Sequence, residues 1–183
     1  VKHAVYAGSF DPITNGHLWI VEEARNLFDR LTVAIGFNPD KSNTISLEAR
    51  LDLLRQVIPA SKGVNIAHFD HRYLVDYAAE IGAQYIVRGI RSPSDYEYER
   101  VMRQINEDIR PEITTVFLMP SRAVAEVSSS MVKALVGPVG WEAQVKRYVP
   151  EPVFVLLQQE YELNQTGSLT KSRPGQFPPE GFK

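Results

Sequence analysis

His17 stands where an imidazole can act on an anion. It falls at the start of a helix predicted over 16–28, after the string Ala7-Gly8-Ser9-Phe10-Asp11-Pro12-Ile13-Thr14-Asn15-Gly16. Gly8 permits a tight turn and close approach of a ligand. Asp11-Pro12 and Asn15-Gly16 are turn formers. Backbone N–H groups at a helix N-terminus attract phosphate. The same dipole favours a neutral imidazole that still donates one hydrogen bond. For a lone Gly–His pair, a loop whose histidine merely caps the helix is the preferred reading. Further along lies Asn38-Pro39-Asp40-Lys41, and a lysine there is a mobile charge suited to phosphates or simply a solvated loop residue. Arg88-Gly89-Ile90-Arg91 precedes Asp95-Tyr-Glu-Tyr-Glu99. Two arginines around a glycine can grip phosphate oxygens in pairs, or they can pair with the acidic run. Ser128 can cap the helix that follows it. Met131, three residues on, supplies no capping-box acid, which leaves N–H groups and hydroxyls of Ser128–Ser130 for outer phosphates, with Lys133 beyond.

These residues need elements to position them. Apolar runs at His3–Ala7, Leu31–Phe37, Val64–Phe69, Gln84–Val87 and Ile113–Met119 are nearly continuous, as in strands covered on both faces. Helical spacing fills the gaps over 16–28, 46–58, 73–81 and 94–109, as in Leu47, Leu51, Leu54 and Ile58. The alternation predicts a doubly wound α/β fold, a five-stranded parallel sheet with right-handed crossovers. In such folds ligands bind beyond the carboxyl ends of the strands, at the switch in strand order. All four groups above follow predicted strands. After Met119 only helices are expected, at 128–136, 141–147 and 151–162. The domain is placed at 1–162, and 163–183 read as a weakly ordered Pro/Gly-containing tail.

Composition narrows the function class. The chain has 183 residues, 44% apolar and 23% charged, enough to bury a core without staples. With no cysteine, thiolate nucleophiles, disulfides and zinc–cysteine sites are excluded. A net charge of −2 argues against coating nucleic acid. No signal peptide or bilayer-length apolar run is visible, so a soluble cytoplasmic protein is expected. His68 and His71 have no partner set for zinc and read as a strand-end surface pair. There is no GxxxxGK[ST], GxGxxG or G-x-S-x-G.

The string Gly-Ser-Phe-Asp-Pro-Ile-Thr-Asn-Gly-His resembles the T/HxGH signature of the nucleotidyltransferase superfamily, in the wording of the bacterial phosphopantetheine adenylyltransferases. Arg-Gly-Ile-Arg with Asp-Tyr-Glu-Tyr-Glu follows in the family's order. Val-Ser-Ser-Ser-Met-Val-Lys is similar to the superfamily's ISSTxxR element, with Lys133 for arginine. Val124 and Glu126 depart from the aromatics often found there. The resemblance spans about residues 1–160 and implies a Rossmann-like fold and transfer of AMP from ATP to 4′-phosphopantetheine, with Mg²⁺, giving dephospho-coenzyme A and pyrophosphate. It implies His17 and Lys41 as catalytic. It gives Ser9, Lys41, Leu74 and Arg88 to phosphopantetheine. It gives Ser9, Phe10, His17, Gly89, Ile90, Arg91, Glu99, Val124, Ala125, Glu126, Val127, Ser128, Ser129 and Ser130 to ATP. No metal ligand can be named. It further implies a homohexamer with coenzyme A as feedback inhibitor, and no nucleic-acid or membrane partner. A sister enzyme acting on a pyridine mononucleotide, and a nucleotide-sensing module with weak turnover, remain as alternatives.

Overall fold

In the computed structural model, which describes residues 1–36, 43–59 and 63–169, five parallel strands form one sheet in the order β3-β2-β1-β4-β5. The strands are β1 (His3–Gly8), β2 (Arg30–Gly36), β3 (Val64–Phe69), β4 (Tyr85–Gly89) and β5 (Thr114–Leu118). Between them run α1 (Asn15–Leu27), α2 (Leu47–Val57), α3 (Leu74–Glu80) and α4 (Pro93–Ile109). Three helices close the described chain: α5 (Ser129–Leu135), α6 (Trp141–Val145) and α7 (Glu151–Leu169). The doubly wound reading therefore holds, with strand ends within about two residues of expectation. Helix α7 runs past Glu162 to Leu169, so the first part of the expected tail is helical.

The period of two along β1 divides the core. Ala4 and Tyr6 join a cluster with Ile20, Val33, Leu54, Val132, Val149 and Phe154 on one face. Val5 joins Ala34, Val75, Ala78, Ile86 and Ile113 on the other. Alternate side chains point to opposite faces of a strand, so β1, paired with β2 on one side and β4 on the other, is buried twice over. That accounts for its unbroken apolar run. The order reverses between β1 and β4, because β2 and β3 lie to one side and β5 to the other. Their carboxyl ends therefore diverge into loops that leave in opposite directions, which opens a crevice.

Candidate active site at the switch point

A cleft of about 290 Å³ opens at that point. Tyr6, Ala7, Gly8 and Ser9 come from the end of β1, and Arg88, Gly89 and Arg91 from the end of β4. Gly16, His17 and Ile20 of α1, Asp95 and Glu99 of α4, and Val124, Val127 and Ser128–Ser130 before and on α5 complete the lining with Pro120.

His17 is held by the start of its own helix. Thr14 is the N-cap of α1, and its Oγ1 accepts the His17 N–H at 3.4 Å. In return the Thr14 backbone N–H donates to Nδ1 of His17 at 3.1 Å, with Thr14 Oγ1 at 3.0 Å from the same nitrogen. This is a capping box with histidine in place of glutamate at its third position. A backbone N–H can only donate, so Nδ1 is unprotonated and the ring proton sits on Nε2. Burial, then the positive charges of Arg91 and Arg88, push the imidazole pKa down to about 4. At pH 7 about one ring in a thousand is then protonated, so the cleft holds a neutral imidazole with a single N–H donor. Phe10, 1% exposed, backs this ring edge-on at 5.2 Å and also packs on Tyr6.

The opposite side is ionic. Arg88 Nε reaches both carboxylate oxygens of Glu99 at 2.9 Å, its Nη2 adds a further contact to Glu99, and Nη1 donates to the Ala7 carbonyl at 2.7 Å. Burial pulls this guanidinium's pKa down, but the hydrogen bonds and charge of Glu99 outweigh it and the net shift is upward. Arg91 pairs with Asp95, Nε to Oδ2 at 2.9 Å, and the Asp95 carboxylate also accepts the Arg91 N–H. Both sequence readings of the arginines are therefore realised at once: they face the cleft, and they are paired with the acidic run.

The third wall is fitted closely to the first. A Cβ on Gly16 would lie 2.8 Å from the Val127 carbonyl oxygen and 3.4 Å from that of Val124, so only glycine lets α1 lie against this segment. The Ser129 hydroxyl donates to the Pro12 carbonyl at 2.8 Å, and Ser128 caps α5 through the Met131 N–H. Gly8 lines the cleft but is not among the glycines of positive φ, so no left-handed turn requires it, and a Cβ there would meet the Phe10 ring at 3.2 Å. What Gly8 makes room for is that ring. The start of α1 is also tied to the C-terminal region, where the Asn15 N–H donates to the Tyr148 carbonyl at 2.9 Å and Asn15 Nδ2 to the Arg147 carbonyl.

Of the residues proposed from sequence, Ser9, His17, Arg88, Gly89, Arg91, Glu99, Val124, Val127 and Ser128–Ser130 meet around the cleft. Ala125, Glu126, Ile90 and Leu74 do not line it. Ile90 is buried, Glu126 is exposed, and Leu74 packs against the second core at the start of α3. Phe10 does not line the cleft either, because its ring is turned inward against Tyr6 and His17. Lys41 lies outside the described residues. Sequence reading missed Tyr6, Ile20 and Thr14. The signal for Thr14 was its three-residue spacing to His17, and for Ile20 its place one turn further along the same helix face. The cleft's own carboxylates, Asp95 and Glu99, are each taken by an arginine, and no three His, Asp or Glu gather to hold a metal among the described residues. These residues do not form a cage for Mg²⁺.

Residues 5–135, a span that takes in every wall of this crevice, match the family described as Cytidylyltransferase-like, and the chain is a nucleotidyltransferase. A phosphopantetheine adenylyltransferase of Chromobacterium violaceum is 58% identical over 154 residues, covering 84% of this chain and 94% of the relative. One of Neisseria meningitidis is 55% identical over 161 residues, covering 88% and 95%. The chain belongs to this family and, within it, to the phosphopantetheine adenylyltransferases. The fold is also that of a Plasmodium falciparum nicotinic acid mononucleotide adenylyltransferase complexed with NaAD. That structure has a TM-score of 0.62 at 20% identity and covers 90% of this chain and 98% of that one.

Proposed function

We propose how the groups of the cleft share the reaction of this family, in which the AMP of ATP moves to 4′-phosphopantetheine to give dephospho-coenzyme A and pyrophosphate. The chain is an enzyme of coenzyme A biosynthesis, an adenylyltransferase. The observation that carries the division of labour is the His17 ring, neutral and with its one proton on Nε2, in a cleft whose two arginines are each paired with a carboxylate. A phosphate monoester with a second pKa near 6 is mostly dianionic at pH 7, so the attacking oxygen needs no base. Catalysis then rests on alignment and on stabilising the charge that develops at the α-phosphate. His17 donates its Nε2–H to an α-phosphate oxygen as the acceptor oxygen attacks phosphorus and pyrophosphate leaves. A neutral donor gains most as that charge builds, whereas an imidazolium would bind ATP as strongly in the ground state. Arg91 and Ser128–Ser130 receive the outer phosphates, Ser9 and Gly89 approach the nucleotide through their backbone, and Arg88, braced by Glu99, faces phosphopantetheine. Lys41 serves the entering phosphate. Mg²⁺, when bound with ATP, would supply neutralisation of phosphate charge, and no protein ligand is assigned to it.

The remaining expectations join this proposal. The catalytic domain is 1–162, and what is appended to it begins with the last turns of α7. The enzyme works in the cytoplasm, consistent with the absence, among the described residues, of a helix long and apolar enough to cross a membrane. The chain assembles as a homohexamer, for which the exposed Tyr98, Val101 and Ile105 on α4 offer apolar surface for self-association without fixing the number of copies, and coenzyme A, which shares the phosphopantetheine arm, acts as inhibitor. The deciding assay is pyrophosphate release from Mg-ATP with a panel of acceptors. Release with phosphopantetheine alone is expected. Release with a pyridine mononucleotide alone would assign a sister reaction, and ATP binding without any release a sensor.

A further inference from the structure

We propose that Asp11 and Lys133 form a positioning pair for the reaction, fixing the spacing between the cleft wall that carries His17 and the wall that carries Ser128–Ser130. The geometry is that of a three-way junction. Asp11 Oδ1 accepts the Ile45 N–H at 2.9 Å, and Oδ2 accepts the Thr44 N–H at 3.0 Å and Lys133 Nζ at 2.9 Å. Lys133 Nζ also reaches Thr44 Oγ1 at 3.4 Å. One carboxylate thus joins the β1–α1 loop, the segment entering α2 and the helix α5. The Asp11 side chain is 5% exposed and that of Lys133 35%. Burial alone would raise the Asp11 pKa, yet the Thr44 N–H, Lys133 and the Ile45 N–H outweigh it and hold the carboxyl below its ordinary range. The resemblance sets Lys133 in the place of the arginine that follows the serine run, and in the structure its ammonium is committed to Asp11.

The consequence for chemistry rests on the reading of the cleft given above. If His17 acts at the α-phosphate while Ser128–Ser130 hold the outer phosphates, the distance between them is set by the length of a triphosphate. An error of about 1 Å in such a spacing can cost about a hundredfold in rate. The Ser129–Pro12 hydrogen bond and the Gly16–Val127 contact fix the same two walls near the cleft, and the Asp11–Lys133 pair fixes them from behind.

A double-mutant cycle tests this. The variants are D11N, K133M, D11N/K133M and K133R, with kcat, both KM values and ATP affinity by calorimetry read for each. K133M keeps the carboxylate and its two backbone donors, so it serves if D11N fails to fold. The expected result is a fall in kcat of about tenfold or more in each single variant, a rise in ATP Kd of no more than about threefold, and a double variant no worse than the poorer single one. K133R, which keeps charge and donors, is expected within about threefold of the parent. Losses that multiply in the double variant would overturn the proposal. So would a K133M defect confined to ATP affinity with D11N unaffected, or a lowered melting temperature with kcat intact. If the parent protein releases no pyrophosphate with phosphopantetheine, the assignment of the reaction fails. The pair is then judged on the same cycle in ATP affinity, where multiplying losses overturn it and coupled losses support it.

Discussion

The β1 side and the β4 side of the cleft are built in opposite ways. On the β1 side the imidazole of His17 is uncharged, and its orientation and tautomer are set by the backbone and hydroxyl of Thr14. On the β4 side the groups are full charges, each fixed by a carboxylate from α4. Uncompensated arginines beside His17 would bind any anion tightly and without regard to the transition state. Pairing with Glu99 and Asp95 holds the forks in place while blunting their net charge. The arginines in turn help to keep His17 neutral. The two sides therefore depend on each other through charge rather than through a direct hydrogen bond.

The largest break in this contrast comes from removing its neutral member. H17A is expected to lower kcat by at least about a hundredfold while ATP affinity changes less than threefold, because the donor acts mainly as charge develops. Calorimetry beside steady-state kinetics separates the two effects, and near-normal turnover would remove His17 from the mechanism. Next in size is the response to pH. Below about pH 6 the acceptor phosphate loses its second charge, and kcat/KM should fall about tenfold per unit. His17, with a pKa of about 4 against an ordinary 6.5, should contribute no limb until near pH 4. H17Q should accordingly keep the limb near pH 6, and its loss in that variant would reassign the titration to the histidine. The sign for stability follows. The unfolded chain takes up this proton first as pH falls, so the contribution of neutral His17 is complete above about 6.5 and is lost towards 4.

On the charged side, E99Q leaves a half-buried guanidinium facing a neutral amide. It should cost about 2 kcal/mol in denaturant unfolding and raise the phosphopantetheine KM several-fold. The more open Arg91–Asp95 pair sets the lower bound, and D95N should cost under about 1 kcal/mol. Equal losses in the two variants would erase the distinction between a buried brace and a surface pair.

Much of the fold was readable because its signals are local. Continuous apolar runs mark strands covered twice, and among the described residues the segments after β1, β4 and β5 that the strand-end rule selects do converge. The site was less readable where partners are distant. Arg88 and Glu99 fall to different substrates when each is matched to a motif, yet in the structure they hold each other. Asp11 reads as a turn former because its partners, Thr44, Ile45 and Lys133, lie far away in sequence. Phe10 reads as a ligand contact because it sits inside the motif, although its ring is part of the core. Helix α7 continues through Leu163 to Leu169, where glycine and few large apolar residues suggested a tail.

The two hydrogen bonds from Asn15 to the carbonyls of Arg147 and Tyr148 tie the first turn of α1 to the stretch between α6 and α7, with Arg147 lying 132 residues further along the chain. The helix that carries His17 is thus anchored at its start by a region outside the sheet that opens the cleft. A substitution at Asn15 would release the side-chain half of that anchor without altering any residue that lines the cleft.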